Sequence, residues 1–331
     1  MALYETNSLC RMSERFSCFS ETSLSFLQPS SSNASSSAAP HSLLPSTQNA
    51  VTCVYRTVSP STHKSLFISL SWFRSVVLGQ PSLTIGFGPE ASSSSSASFK
   101  LISSRSGLFK KNKGSKKVEL YESLIEVFWD FSNARFDSGP EPLDGFYILV
   151  VIDSELGLFL GDMAEDAIEK KFKCCNQSKF SLASRRENCS GNALYRTRCQ
   201  LDETAAVHDI MIRVCVEAEG PSKDSTLSVY IDKKKVMRVK RLLWNFRGSQ
   251  TIFLDGTGSM IDMLWDVHDW FFSEASEGHG VFMFTTRTGM LNGRYWVEEG
   301  EGQDEKPVVE KWVTDNRAND FSLLIYATRN S

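Results

Sequence analysis

Two seven-residue stretches of this chain share the same order of residue types. The fold is therefore expected to bury the same positions in both. "IEVFWDF" begins at Ile125 and "IDMLWDV" begins at Ile261, and both run apolar, acidic, apolar, apolar, Trp, Asp, apolar. Since alternate side chains of a β-strand share a face, each stretch predicts a half-buried strand. The predicted inward sets are Ile125, Val127, Trp129 and Phe131 in the first stretch and Ile261, Met263, Trp265 and Val267 in the second.

The likeness continues upstream of both stretches. "VYRT" at Val54 matches "LYRT" at Leu194, "SLTIGF" at Ser82 matches "TLSVYI" at Thr226, and "GSKKVEL" at Gly114 matches "GSQTIFL" at Gly248. The order of the matching elements is the same, which predicts an internal duplication of a β unit of roughly 100 residues. We place the units at 51–161 and 193–288. Short apolar runs of period two predict a mainly β fold with sandwich-like or barrel-like antiparallel units. The pattern leaves open whether the units share one sheet.

Other segments differ in composition from these two units. Residues 1–48 are rich in Ser and Pro and predict a disordered tail, because so few apolar residues cannot offset the entropy of ordering. The connector at 162–192 opens with "DMAEDAIEKKFK", which predicts a short helix capped by Asp162. A weaker helical pattern begins at Val308. Residues 289–331 predict an acidic loop followed by a final strand, "FSLLIYA".

Composition narrows the functional classes. The net charge is −3 over 331 residues, and no apolar run approaches the roughly 20 residues that span a bilayer. The eight cysteines and five histidines show no zinc-site spacing, so neither a metal nor a cofactor is expected. The first residues mix acids and bases and have no long apolar centre. We therefore expect a cytoplasmic or nuclear location, with organelle import as the less favoured alternative.

Two basic segments carry the binding prediction. Residues 98–117 and residues 233–247 each contain seven Lys or Arg side chains and no acid. Such clusters attract phosphates, so we expect an anionic partner, either nucleic acid or anionic lipid, or else a protein partner. An alternative interpretation is that these lysines protect strand edges from aggregation. The residues expected to contact phosphate are Lys110, Lys111, Lys113, Lys234, Arg238 and Arg241.

No catalytic motif stands out, so no catalytic residues are assigned. The leading interpretation is a non-enzymatic binding or scaffold protein. One alternative is a β protein with an apolar cavity for a small ligand. Another is an enzyme that uses Asp130, Asp266 or His268, which requires these groups to meet in a cleft.

Several long elements resemble a plant protein family known as domain-of-unknown-function family eight-six-eight. They are "TQNAVTCVYRT", "IEVFWDFSNARFDSGPEPLDGFYILVV", "SLASRRE", "RLLWNFRGSQTIFLDG" and "LWDVHDWFF". The resemblance extends from about residue 48 to residue 284. It implies a plant source, and it brings no catalytic residues, no cofactor and no activity.

Overall fold

The structure of the protein is a computed structural model, and strands dominate it. It describes residues 46–75, 81–89, 96–102, 112–172, 175–191, 193–201, 206–217, 224–254, 259–272, 278–286 and 321–328. Strands make up 69% of the described residues, well above the usual 20–25%. The prediction of a mainly β fold with antiparallel sheets and short helices is confirmed. The predicted disordered tail lies outside the described residues as far as position 45.

The described residues of the first part of the chain form ten strands and one helix. They are β1 (Thr47–Val58), β2 (Ser65–Arg74), β3 (Pro81–Gly88), β4 (Ala97–Ile102), β5 (Lys113–Leu120), β6 (Ser123–Asp130), β7 (Arg135–Phe136), β8 (Pro142–Asp144), β9 (Tyr147–Ile152), β10 (Glu155–Leu160) and α1 (Ala164–Lys171).

Nine strands and a second short helix follow. They are β11 (Lys179–Ser190), β12 (Leu194–Gln200), β13 (Val207–Glu217), β14 (Asp224–Ile231), β15 (Lys234–Val239), β16 (Arg247–Phe253), β17 (Met260–Asp266), α2 (His268–Phe272), β18 (His279–Thr286) and β19 (Ser322–Thr328). Among the described residues, neither helix is long and apolar enough to cross a membrane.

One nine-stranded sheet runs through both parts of the chain. Its strand order is β16-β17-β18-β19-β11-β1-β2-β3-β4. All neighbours are antiparallel except β11 and β19, which are parallel. Strand β11 therefore stands between the two sets of strands and pairs its backbone with β1 on one side and β19 on the other.

Two four-stranded sheets cover the same face of this large sheet, in the orders β10-β9-β6-β5 and β12-β13-β14-β15. Cys53, Arg185 and Leu323 are register partners on adjacent strands of the large sheet, so they share one face. Cys53 belongs to the core beneath the first small sheet, and Leu323 belongs to the core beneath the second. The described residues thus form two sandwiches with separate cores on one continuous sheet.

The matching stretches of sequence fall on strands that occupy the same position in the strand order of each half. Each part of the chain contains a first set of four consecutive paired strands, β1–β4 or β12–β15, and then a second set. The second sets are β5-β6-β9-β10 and β16-β17-β18-β19. "IEVFWDF" opens within β6, and "IDMLWDV" opens within β17, each the second strand of its second set. The descent of the two halves from one duplicated unit stays a prediction.

The connector between the units contains more than the predicted helix. Helix α1 lies where the pattern places it, but Asp162 does not cap it. Instead, Asp162 Oδ1 accepts the backbone N–H groups of Gly145 at 2.8 Å and Phe146 at 3.2 Å. The sequence pattern predicts neither β11, which fills much of the connector, nor α2. The final strand is confirmed as β19, and the helical pattern at Val308 lies outside the described residues.

The repeated tryptophan packs on a cross-strand glycine in both halves. Gly114 is the register partner of Trp129, and Gly248 is the register partner of Trp265. A Cβ atom added to Gly114 would lie 2.8 Å from Cζ2 of Trp129, and one added to Gly248 would lie closer still to Cζ2 of Trp265. Each indole therefore fills the space that a side chain on the neighbouring strand would need. Trp129 lies in the first core, whereas Trp265 is half-buried and packs against the second.

We expect Gly114→Ala and Gly248→Ala each to lower the free energy of unfolding by about 1–3 kcal/mol, because the added methyl group overpacks the indole. The matched controls are Ser115→Ala and Ser249→Ala, which alter exposed neighbours on the same strands and should change stability by less than about 0.5 kcal/mol. Urea unfolding of the full chain measures the difference. Glycine variants as stable as the serine controls would contradict this packing.

Candidate functional site

The first basic segment is mostly paired within the chain where the structure describes it. Lys113 opens β5, the edge strand of its sheet, and its Nζ lies 2.7 Å from Oδ2 of Asp130. Lys117 on the same strand pairs with Glu126. Lys116 Nζ lies 4.0 Å from the centre of the Phe99 ring, which is a cation–π distance. The other two predicted contacts of this segment, Lys110 and Lys111, lie outside the described residues.

The second basic segment is exposed along another edge strand, β15. Lys234 and Arg238 lie on this strand and Arg241 follows it, and all three side chains are exposed. Arg241 has a left-handed backbone with φ of 52°, and its carbonyl oxygen accepts the backbone N–H of Trp244 at 2.8 Å. The chain thus turns sharply here and leaves Trp244 82% exposed beside the basic side chains.

The structure does not bring the two basic segments together. The first runs from β4 to β5 and the second from β15 to β16, and β4 and β16 are opposite edges of the nine-stranded sheet. Eight strand spacings separate these edges, or about 38 Å along the sheet. Lys113 therefore belongs to one end of the protein, and Lys234, Arg238 and Arg241 belong to the other.

The repeated aspartate has the same structural role in both halves. Asp130 pairs with the base that opens the neighbouring strand, and its Oδ1 accepts the backbone N–H two residues further on at 3.0 Å. Asp266 repeats the arrangement: its Oδ2 accepts a 2.7 Å hydrogen bond from Arg247 Nε, and its Oδ1 accepts the N–H of His268 at 3.0 Å. Each carboxylate thus joins a strand end to the turn that follows it.

The ring of His268 interacts with Asp269, which is not one of the three residues of the enzymatic hypothesis. Its Nδ1 lies 3.1 Å from Oδ1 of Asp269, and His279 Nδ1 lies 3.4 Å from the other oxygen of the same carboxylate. Asp130 lies in the other half of the chain, on the first small sheet. The three groups of the enzymatic hypothesis therefore do not meet in one cleft. The described part of the chain contains no group of three His, Cys, Asp or Glu side chains arranged to hold a metal.

A buried ionic network fills the boundary between the two cores. Arg185 on β11 donates to both oxygens of Glu141, at 3.0 and 2.6 Å, and its Nε donates to Glu187 at 2.5 Å. Thr197 on β12 donates to the same oxygen of Glu187, whose side chain has no exposed surface. Glu187 Oε2 has no hydrogen-bond partner within the described ranges. The network therefore links the large sheet, the loop before β8 and the second small sheet.

The charges of this network stabilise one another, and burial keeps the neighbouring thiol neutral. Burial disfavours a charged guanidinium, but Glu141 and Glu187 outweigh it and hold the pKa of Arg185 well above its ordinary value. Burial also raises the pKa of the neighbouring Cys53 thiol to about 12. A thiol with such a pKa is not ionised near neutral pH, so Cys53 is no candidate nucleophile.

A depression of about 740 Å³ opens on the other face of the nine-stranded sheet, away from both small sheets. It is open to solvent and six of its eight lining residues carry polar groups, whereas the ligand-binding hypothesis requires an enclosed apolar cavity. The residues that line it are Asn49, Ala50, Phe73, Arg74, Asn188, His279, Tyr326 and Thr328.

The structure also shows a basic surface that the sequence interpretation overlooked. It lies on the outer face of the small sheet β12–β15 and consists of five exposed side chains, which we call the arginine face. They are Arg196, Arg198, Arg213, Lys235 and Arg238. The signal for it is present in "LYRTRCQ", where arginines alternate with the buried Tyr195, Thr197 and Cys199.

Comparison with known proteins gives one match that covers this whole architecture. A family model described as a plant protein of unknown function (DUF868) matches residues 46–329, which include every described strand. No curated protein and no solved structure matches the chain. The expected family resemblance is confirmed, and the match carries no activity with it.

We expect Arg185→Met to lower the free energy of unfolding by about 3–5 kcal/mol, because two carboxylates lose their shared cation, one of them with no exposed surface. The matched control is Lys179→Met, an exposed position on the same strand. Thermal and urea unfolding of the full chain measure both variants. If Arg185→Met is no less stable than the control, the network does not hold the boundary between the cores.

A pH series tests the role of Asp130. Burial raises its pKa, but the hydrogen bonds from Lys113 and from Ser132 outweigh burial and leave the pKa below its ordinary value. Its ion pair therefore stabilises the fold above the unfolded-state pKa of about 3.9, and this contribution is lost as the pH falls through the lower folded-state value. We expect the stability gap between wild type and Asp130→Asn to narrow between about pH 6 and pH 3. A gap that stays constant over this range would contradict the assignment.

Proposed function

The chain belongs to this plant family of unknown function, and from its surface chemistry we propose that it is a non-enzymatic binding or scaffold protein. Its partner carries phosphate or other dense negative charge, and the contacts come from basic side chains at the outer end of the second half. The observation that supports this proposal is the exposure of Lys234, Arg238 and Arg241 together on and after one edge strand. The proposed place of action is the cytoplasm or the nucleus.

The first basic segment has a smaller part in this proposal. Lys113 and Lys117 already have acidic partners on the neighbouring strand, which reduces the positive potential that they present to an outside anion. Lys234, Arg238 and Arg241 are exposed, and the cross-strand register partners of Arg238 and Lys235 are the neutral residues Ser228 and Tyr230. The second segment is therefore the better candidate for phosphate contacts. Lys110, Lys111 and Lys113 are proposed to contribute less to binding.

Edge protection is the main competing interpretation of the same residues. Both β5 and β15 are edge strands, and lysine on an edge strand discourages pairing with another molecule. Edge protection needs charge along the edge but predicts no affinity for an anion. Binding measurements therefore separate the two interpretations directly. A protein partner remains the alternative if phosphate-bearing ligands do not bind.

The two remaining hypotheses receive less support from the geometry. An enzyme using Asp130, Asp266 or His268 needs these groups within hydrogen-bond reach of one another, and they lie on different sheets or pair with other side chains. A small apolar ligand needs an enclosed apolar pocket, whereas the depression on the large sheet is open to solvent and six of its eight lining residues carry polar groups.

We expect the full chain to bind fluorescent single-stranded RNA, duplex DNA or anionic vesicles at about 50 mM salt, with affinity that falls steeply by about 200 mM. A Lys234→Gln, Arg238→Gln, Arg241→Gln variant should lose most of this affinity. The equivalent change at Lys110, Lys111 and Lys113 should have a smaller effect. A third variant replaces the exposed Lys64, Lys170 and Lys179 by Gln, which removes the same net charge at unrelated positions.

Two results would count against the proposal. If the chain binds none of the three ligands at low salt, the basic side chains act as edge protection. If the Lys64, Lys170 and Lys179 variant loses as much affinity as the second-segment variant, the binding follows net charge alone and has no defined surface.

A further inference from the structure

We propose that the arginine face, on the outer side of sheet β12–β15, is a binding surface for single-stranded nucleic acid. This inference rests on the proposed function and names both the surface and the class of partner. This surface differs from the proposed phosphate contacts on and after β15. Three of its five cations lie on β12 and β13, towards the opposite edge of the same sheet.

Strand periodicity builds the surface. On β12 the side chains of Tyr195, Thr197 and Cys199 are buried, which turns Arg196 and Arg198 outward. On β13 the buried Ile210, Ile212 and Val214 leave Arg213 on the same outer face. Because alternate side chains of a strand point to opposite faces, burying one set in the core turns the other set to solvent. The arginine face therefore follows from the packing of the core beneath it.

Cross-strand register then arranges the outward side chains in rows. Arg213 is the partner of Ser228, which is the partner of Arg238. In the next row, Arg196 pairs with Met211, which pairs with Tyr230, which pairs with Lys235. Three strand spacings separate β12 from β15, or about 14 Å. Cations thus flank a narrow central strip that contains a phenol ring and a thioether.

The charge balance of this face is positive. Asp209 is an outward acid on β13, and it faces Arg198 across the strand pair. Asp232 lies in the β14–β15 turn, where its carboxylate interacts with the His208 ring at 2.7 Å and accepts the N–H of Asp209 at 2.9 Å. Glu217 and Asp224 are register partners at the far end of β13 and β14. The five cations therefore outnumber the four acidic residues of this sheet and its turn in the described part of the chain.

Edge protection does not explain this distribution. Arg213 lies on β13, an interior strand whose backbone pairs with β12 and β14 on its two sides. A strand whose backbone is paired on both sides needs no charged side chain to prevent pairing with another molecule. A cation there is better explained by a ligand that lies across the sheet.

A single strand of nucleic acid fits this face better than a duplex or a membrane. Arg196 and Arg198 lie two residues apart on one strand, about 6.7 Å, so they meet successive groups of an extended polyanion. Tyr230 and Met211 are half-buried between the cations and offer flat contact for unstacked bases. A flat sheet face does not enter a duplex groove, which admits a helix or a two-stranded ribbon. Membrane insertion needs projecting apolar side chains, and the two central side chains are half-buried.

Fluorescence anisotropy of the full chain with an RNA oligonucleotide of about 12 nucleotides tests the proposal. We expect Arg196→Gln, Arg198→Gln, Arg213→Gln to weaken binding at least tenfold and to reduce the slope of log affinity against log salt by about 2, since each phosphate contact contributes about 0.7. The control is the equally charged Lys64, Lys170, Lys179 variant. Tyr230→Phe should keep the affinity, and Tyr230→Leu should lose about tenfold through lost stacking. Circular dichroism melts confirm that each variant is folded.

The possible outcomes separate this inference from the proposed function. If the arginine variant binds RNA like wild type while the Lys234, Arg238, Arg241 variant does not, the inference fails and the proposed function stands. If wild type binds anionic vesicles but not RNA, the same conclusion follows. If wild type binds neither of these ligands nor duplex DNA at low salt, both proposals fail.

Discussion

The backbone hydrogen bonds on the two sides of β11 join the halves of this protein into one sheet. Through them β1 and β19, which open and close the described chain, lie one strand apart. The boundary that this creates between two apolar cores is filled by Arg185, Glu187 and Glu141 rather than by hydrocarbon. Such a network is costly to desolvate and is not by itself a source of stability, but an arrangement that separated its members would leave buried charges unpaired and is therefore disfavoured. The two sandwiches are thereby placed side by side, with their edge strands β5 and β15 at opposite ends.

Features that recur in both halves and features confined to one half have different roles. Trp129 and Trp265 cover glycines, and Asp130 and Asp266 join a cross-strand base to a turn, so the repeated motif is explained by packing and turn geometry. The arginine face belongs to the second half alone. The corresponding strands β1–β4 of the first half are built into the large sheet, whereas β12–β15 form a separate small sheet whose outer face carries exposed side chains in the described part of the chain. Function is therefore best sought in what the halves do not share.

The sequence predicts the strands in which buried and exposed residues alternate. It does not predict strands that contain buried charged residues. "SLTIGF" and "IEVFWDF" are recognisable because one face of each strand is apolar. Strand β11, with "SRRE" at its centre, gives no such pattern, because its buried charges have partners outside the strand: Arg185 pairs with Glu141, and Glu187 accepts from Thr197. Helix α2 has five residues, too few to show helical periodicity. The alternation of Arg196 and Arg198 is visible in the sequence, but only the register of four strands shows that it extends into a surface.

The most direct test of the account is a photo-crosslinking map of RNA on the intact chain. A single-stranded oligonucleotide with photoreactive uridines is irradiated with the protein, and the crosslinked peptides are identified by mass spectrometry. The account predicts crosslinks concentrated in residues 194–241, with Met211 and Tyr230 among the modified side chains. Crosslinks concentrated instead on β1–β6, or spread evenly over both halves, would contradict a binding surface formed by the small sheet of the second half.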